Sequence, residues 1–560
     1  MKIVECVPNF SEGRNMSVID QITDEIKKIK GVKLLDVDPG FDTNRTVVTM
    51  VGDPESVKEA AFNAIKVSHQ LIDMSKHKGA HPRFGACDVC PIIPVSNITM
   101  DECVDIAHEL GKKLGAELDY PVYFYEYAAT TDKRKDLAWV RQGEYEALES
   151  NLKDPERKPD AGPCEFKPEK GATAVSARDF LIAYNVNLNT NNAKFANDIA
   201  LNIREQGRIK RDSNNKPVKD ENGKKIKTPG IFKNCKAIGW YVEDYHRAQI
   251  SINLTNYHIT SMHEVFDEIS RQAEERGLRV TGSEIVGVVP KDAMLKAGIH
   301  YLEKQGSCAG VSDEELIKTA IQSLGLSDAS KFIPEEKIIE YMIKKPDQLV
   351  DMTIKEFNDT LSSDAPAPGG GSVAALCGSL SAGLGAMVMN LTFNKKGYKH
   401  LNDEVNKAAK ELQKRKNELI SLIDADTDAF NMLMEAVSSQ KKAKKSKDED
   451  SVARAEKAYY DATVNATDIP LTVMKKIAEL TELIKQVAEN GNKNAASDAG
   501  VAALLINAGV KAAGLNVKIN LSGFEDQDEY KIRTLQLMNK ILSNIDSGTD
   551  NILKIVDEKI

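Results

Sequence analysis

The 560-residue sequence has no disulfide framework, no basic excess and no second half to its single C-x-x-C motif. Its eight cysteines lie scattered apart from Cys87 and Cys90, a usage that suits a reducing cytoplasm rather than a secreted scaffold. Without a second cysteine pair, and with Pro91 directly following, Cys87 and Cys90 are not expected to serve a zinc or redox role. A formal net charge of −9 argues against general nucleic-acid binding. The opening MKIVECVPNF carries acidic Glu5 and a strand-like pattern where a leader would carry a basic and then an apolar region, so no signal peptide is expected. One stretch, Ser372 to Phe393, runs 22 residues without charge. It is rich in Gly, Ala and Ser and includes Asn390, so a close-packed buried helix is expected there rather than a membrane span.

What is present has the balance of a soluble globular protein, 41% hydrophobic and 28% charged, and is long enough for about three or four folding units. A strand over Met1–Pro8 leads to a helix over Asn15–Ile29 whose Ile19, Ile22, Ile26 and Ile29 share one face. A strand at Val32–Val37, a turn at Asp38-Pro39-Gly40 and a strand at Thr46–Val51 precede a helix from Pro54 to Leu71. An apolar strand, Val89–Val95, completes a β-α-β-β-α-β order, which is ferredoxin-like. A helix at Asp101–Leu114, a strand at Pro121–Tyr127 and a helix around Glu144 extend it.

A second α/β unit follows a Pro- and charge-rich stretch. It reads as Phe180–Leu188, a helix over Asn191–Glu205, strands at Ala237–Val242 and Gln249–Leu254, a helix over Ser261–Arg276 and a strand at Ile285–Val289. Within it, Gly207–Gly230 reads as a mobile polar hairpin around Asn222-Gly223. Strand signals end near Lys318. The expected fold is multidomain: two ferredoxin-like α/β subdomains (1–178 and 179–330), a linker (331–350) and an all-α helical bundle (351–560).

Two constellations carry chemistry. In KHKGAHPRFGACDVCPIIPV, His77 and His81 stand four apart, yet Gly79 and Pro82 break the helix that would align them on a metal. A histidine on a loop held by the following strand is instead placed for acid/base work. In the C-terminal half, APAPGGGS runs a stiffened turn through Gly369, Gly370 and Gly371 into a helix, whose N-terminus favours an anion. The spacing and the missing lysine exclude a nucleotide P-loop, and a simple tight turn fits equally. Farther on, Val405, Leu412, Leu419 and Leu433 recur at multiples of seven, and Asp426 falls in the same series while Asp424 and Asp428 point elsewhere. A carboxylate on an apolar seam has its pKa raised by burial, which suits proton transfer near neutrality. The same placement would also fix helix register.

ECVPNFSEGRN, LLDVDPGFDTNRTVVTMVG, KGAHPRFGACDVCPIIPV, GPCEFKPEKGATAVSARDFLIAYNVNL and GIFKNCKAIGWYVED resemble glutamate formiminotransferase. APAPGGGSVAA, SLIDADTDAF and SDAGVAALLINAGVKAAGLNVKINL resemble the cyclodeaminase half of the formiminotransferase-cyclodeaminase family. The resemblance covers nearly the whole chain and implies a bifunctional enzyme of histidine degradation. Its first half would move the formimino group of N-formimino-L-glutamate to N5 of tetrahydrofolate. Its second would close that product to 5,10-methenyltetrahydrofolate and ammonia.

On the same resemblance the catalytic histidine is His81, its aspartate partner is Asp38, and the cyclodeaminase proton acceptor is Asp426. The folate-binding loop is Gly162, Pro163, Cys164, Glu165, Phe166, Lys167, Pro168, Glu169, Lys170 and Gly171. Arg45 and Arg83 are candidates to hold substrate carboxylates through paired donors, and Gly369–Gly371 to seat a carboxylate of a polyglutamate tail. Tetrahydrofolate is expected as a co-substrate, with no metal and no nicotinamide. A cytoplasmic homo-oligomer is expected, with neither nucleic acid nor membrane as partner. The alternatives are formiminoglycine as donor, or a helical half that serves only oligomerisation.

Overall fold

The structure, a computed structural model, describes residues 2–41, 43–79, 83–243, 245–328, 330–344, 348–446 and 448–560. It divides into two compact units, Met1–Ala297 with Ala320–Lys344, and Gly298–Thr319 with Lys345–Ile560.

The first unit opens with β1 (Ile3–Cys6), β2 (Asn9–Phe10), α1 (Met16–Lys27), β3 (Val32–Gly40), β4 (Arg45–Gly52), α2 (Pro54–Leu71) and β5 (Cys87–Ser96). Asn15 caps α1 by accepting from the Ser17 N–H, and Ile19, Ile22 and Ile26 bury one face of it. Asp53 caps α2, with Pro54 at the first helical position. α3 (Met100–Leu118), β6 (Val122–Glu126), α4 (Leu137–Val140), α5 (Glu144–Asn151) and β7 (Thr173–Ala177) extend the sheet. Its order is β3-β4, then β1 and β2 in succession, then β5-β7-β6. The β-α-β-β-α-β core is therefore ferredoxin-like, as the pattern predicts.

Two expectations are corrected here. Asp38, Pro39 and Gly40 do not turn; they are the last residues of β3, opposite Val47, Thr46 and Arg45. β3 pairs only with β4 among the described residues. An edge strand tolerates a proline, which cannot donate to a second neighbour. Phe41, Thr43 and Asn44 lie in turn conformation instead, with Asn44 left-handed at φ 49°. The other correction is β7, absent from the sequence reading, which lies parallel between β5 and β6. Its residues TAVSA are small and buried on both faces, so they show no alternation.

The second α/β subdomain is built from β8 (Ile182–Leu188), α6 (Ala193–Ile203), β9 (Arg208–Ile209), β10 (Lys227–Thr228), β11 (Cys235–Val242), β12 (Arg247–Leu254), α7 (Met262–Glu274) and β13 (Val280–Val286). β9 and β10 pair at the base of the expected hairpin. The order β11-β12-β8-β13, antiparallel throughout, repeats the ferredoxin-like arrangement. β13 lies several residues earlier than expected. Gly282 (φ 124°) accommodates a bulge against β8, and Gly287 (φ 79°) ends the strand.

Four helices follow: α8 (Lys291–Lys304), α9 (Asp313–Leu324), α10 (Pro334–Lys337) and α11 (Ile339–Met342). The all-α part comprises α12 (Ile354–Leu361), α13 (Gly370–Thr392), α14 (Asn402–Ser446), α15 (Glu449–Asn490), α16 (Ala496–Leu521) and α17 (Glu529–Lys559). α13 is the uncharged stretch. Small residues let it pack tightly: a Cβ on Gly378 would lie 2.5 Å from Ile477 Cγ1, and one on Gly385 2.6 Å from Ile484 Cδ1. α13 and 493–521 are each long and apolar enough to cross a membrane, with 61% and 50% of their most apolar windows buried within the fold.

Candidate active sites

The first constellation forms around Asn44. Its side chain accepts from the Gly13 N–H (3.0 Å) and donates to the Lys78 carbonyl (3.0 Å), while its own carbonyl accepts from His77 Nε2 (2.9 Å). A Cβ on Gly79 would lie 2.1 Å from the Thr43 carbonyl oxygen, so this loop lies directly on the β3–β4 turn. His77 is thus a structural strut, and burial lowers its pKa. His81 lies outside the described residues.

Asp38 shares a cross-strand row with Val47, Asn9, Val89, Ala174 and Tyr123, which puts them on one face of the first sheet. Arg45 stands two residues from Val47 and donates to Asn9 Oδ1. Asp38 and Arg45 therefore occupy the same face. Burial lowers the Arg45 pKa, opposed by the nearby Asp88. Asp88, almost fully buried, pairs with Arg141 at 2.6 Å. Neither Asp88 nor Arg141 was singled out from sequence.

Arg83 takes another direction, pairing with Glu146 at 2.5 Å and lying over the Tyr145 ring. Tyr145 connects it to the expected folate loop: its ring packs on Phe166 and its hydroxyl donates to the Pro168 carbonyl at 2.7 Å. The loop is pinned at both ends by left-handed glycines, Gly162 (φ 77°) against Tyr120 and Gly171 (φ 72°) bridged to Gly85. Within it, Lys167 binds both Glu165 (3.1 Å) and Asp119 (3.0 Å), and Lys170 Nζ donates to the Leu118 carbonyl (2.6 Å). Cys164 Sγ meets the Leu152 carbonyl at 3.3 Å. The Met74 N–H donates to the Glu169 carbonyl at 2.9 Å.

Glu5 lies on β1 at 5% exposure, and burial raises its pKa to about 7 against the pull of Arg178. The native state holds that proton to about pH 7, whereas the unfolded chain releases it near 4.5. Folding therefore takes up a proton between those values, and stability declines as pH rises through them. Glu5→Gln removes the buried charge. Its melting temperature relative to the parent is expected to rise between pH 4 and pH 8, by an amount worth about 3 kcal/mol. A constant difference across that range would count against a buried, ionising Glu5.

The second constellation is brought together as one site. Gly369 precedes α13, and Asp426 of α14 reaches the start of that helix. A Cβ on Gly371 would stand 2.1 Å from Asp426 Oδ1, so only glycine leaves room for the carboxylate. The anion at this helix start is thus the protein's own. Ser372 Oγ donates to the Ile423 carbonyl (2.9 Å) and lies 3.3 Å from Asp426 Oδ2. Burial raises the Asp426 pKa, with the Ser372 hydroxyl and N–H restraining the rise.

The heptad pattern continues on both helices: Gly371 faces Asp426, Gly378 faces Leu419 and Gly385 faces Leu412. Asp426 occupies the place that leucine takes at the other two levels. Asp424 turns away and accepts from the Leu349 N–H at 2.7 Å. A cavity of about 270 Å³ opens over Asp426, lined also by Gly369, Gly370, Phe430, Asn516 and Asn520. The amide nitrogens of the two asparagines are tied to the Ala512 (2.9 Å) and Ala466 (2.6 Å) carbonyls. Sequence reasoning missed both asparagines, because they approach Asp426 only through the packing of α16.

Comparison with known proteins covers both halves of the chain. Residues 3–178 match the formiminotransferase domain, N-terminal subdomain; residues 183–344 match the formiminotransferase domain; and residues 353–539 match formiminotransferase-cyclodeaminase. The formimidoyltransferase-cyclodeaminase of Dictyostelium discoideum is 42% identical over 100% of this chain and 99% of its own length. That of Gallus gallus is 41% identical over the same shares. The glutamate formimidoyltransferase of Streptococcus pyogenes serotype M1 is 41% identical over 54% of this chain and 94% of its own. With both halves matched in order and full-length relatives above 40% identity, the chain belongs to the formimidoyltransferase-cyclodeaminase family.

Proposed function

We propose that this protein performs two consecutive folate reactions. It transfers the formimino group of N-formimino-L-glutamate to N5 of tetrahydrofolate, and it closes the product to 5,10-methenyltetrahydrofolate with loss of ammonia. The observation that carries the reading is the Asp426 carboxylate seated under Gly371 at the floor of a cavity.

In transfer, N5 attacks the formimino carbon and loses a proton, while the departing glutamate nitrogen gains one. His81 performs both transfers in turn, and Asp38 orients its imidazole. Arg45 and Arg83 bind carboxylates, and Gly162–Gly171 receives the folate. In ring closure, N10 attacks the same carbon, Asp426 takes the N10 proton, and the formimino nitrogen leaves as ammonia. Gly369–Gly371 and the carbonyl oxygens of Asn516 and Asn520 shape the space around the reacting carbon. Neither step changes oxidation state, so no nicotinamide is required, and the proton transfers need no metal. The reading extends to a cytoplasmic homo-oligomer acting on polyglutamylated folate.

Purified protein with tetrahydrofolate and N-formimino-L-glutamate should yield methenyl-folate absorbance and ammonia together. Glutamate release without either product would leave the helical half non-catalytic. Product only with formiminoglycine would change the donor. Asp38→Asn is expected to lower the transfer kcat by about 10²-fold or more, with the tetrahydrofolate KM retained. An unchanged rate would remove Asp38 from the mechanism.

A further inference from the structure

The side chains around the cavity over Asp426 are arranged to accept hydrogen bonds. Besides Asp426 and Thr427, its polar side chains are Asn516 and Asn520, and none of the described residues that line it is cationic. The two asparagines stand about one turn apart on α16 and therefore share a face of that helix. Both are partly exposed and border the cavity, so a ligand can reach them.

Their orientation follows from what they are tied to. A carbonyl oxygen can only accept, so the amide nitrogens, and not the oxygens, face the Ala512 carbonyl (2.9 Å) and the Ala466 carbonyl (2.6 Å). An amide flip would set oxygen against oxygen. Oδ1 of each asparagine is turned away from its tie and has no hydrogen-bond partner among the described residues. The pair is a fixed double acceptor beside one carboxylate.

We propose that Asn516 and Asn520 hold the terminal nitrogen of the formimino group by its two N–H bonds, and so select nitrogen over oxygen as the group expelled in ring closure. A formamidine is protonated at neutral pH, and its terminal nitrogen then carries two hydrogens and part of the positive charge. Two neutral acceptors and the Asp426 carboxylate complement it. A formyl group in the same place would turn the lone pairs of its oxygen on the two Oδ1 atoms, leaving all of them unpaired. This role rests on ring closure taking place over Asp426.

The step balances without another reactant. N10 bonds to the formimino carbon, and the C=N electron pair returns to the terminal nitrogen. The N10 proton passes to Asp426, whose carboxyl holds it the more readily because burial raises its pKa. Asp426 then gives that proton to the terminal nitrogen. The C–N bond breaks with its electron pair, neutral ammonia leaves from between the asparagines, and the positive charge stays on the methenyl bridge.

With 5-formiminotetrahydrofolate supplied directly, Asn516→Leu should slow ring closure by about 10–100-fold, the worth of a hydrogen bond to a charged donor. The Asn516 amide is tied within its own helix, so this variant breaks no bond between helices and should melt close to the parent. Asn520→Leu should lose a similar factor in rate and melt lower, because its amide reaches Ala466 on α15. A merely structural role would not move the choice between nitrogen and oxygen, which 5-formyltetrahydrofolate reads as a competitor of ring closure. It should inhibit the parent poorly, and inhibit Asn516→Leu at several-fold lower concentration relative to substrate. A parental rate in Asn516→Leu, or a slowed rate with no gain in formyl inhibition, would overturn the proposal. If Asp426→Asn also closed the ring at the parental rate, the site itself would be misassigned; if Asp426→Asn were inactive, the role of the asparagines alone would fall.

Discussion

Asp426→Asn should stop methenyl-folate and ammonia formation while glutamate release continues, with ring closure slowed by about 10²–10⁴-fold, the range of a positioned general base. The amide fits the same seat under Gly371, so the cavity and the fold persist and only the proposed proton acceptor is lost. In the parent protein, burial raises the pKa of this carboxylate. The acid limb of ring closure should therefore lie above the ordinary carboxylate range, because the base must be ionised to act. That limb should vanish from whatever rate the variant retains. Ammonia release and methenyl absorbance followed from acid to neutral pH measure both effects. Ring closure at the parental rate would refute the assignment.

The second large effect is expected at Gly371. An alanine Cβ would lie 2.1 Å from Asp426 Oδ1 and 2.5 Å from Oδ2, so the carboxylate must leave its seat. Displacement of a catalytic group by about an ångström costs on the order of 10²-fold, and crowding a packed site costs about 1–3 kcal/mol of stability. The neighbouring glycines supply graded controls. A Cβ on Gly370 would meet the Asn516 side chain, nearest at its nitrogen (3.1 Å), and one on Gly369 meets nothing within 4 Å. Single-turnover ring closure should fall steeply for Gly371→Ala, modestly for Gly370→Ala and little for Gly369→Ala. Equal losses across the three would show that the turn matters for backbone freedom rather than for the seat of Asp426.

The helical site was legible because its signals are local. The repeat through Val405, Leu412 and Leu419 projects Asp426 onto the same stripe, and the glycines stand together in the sequence. Partners that arrive from distant elements were not legible: Asn516 and Asn520 from α16, Asn44 as the strut under His77, and Arg141 against Asp88. Strand β7 left no alternation because both of its faces are buried. The turn expected at Asp38-Pro39-Gly40 relied on residue preference, and edge pairing overrode it.

The matched seven-residue steps of Gly371, Gly378 and Gly385 against Asp426, Leu419 and Leu412 restrict which changes in chain length this protein can absorb. Deleting one residue between Leu419 and Asp426 would rotate the carboxylate by about 100° and shift it by about 1.5 Å, out from under Gly371. Losing a whole heptad would bring another side chain beneath the glycine. Insertions and deletions are therefore excluded between the leucine levels and the site on either helix. Near Lys441–Ser451, beyond the last of these levels, the helix pair can be lengthened or trimmed without moving Asp426.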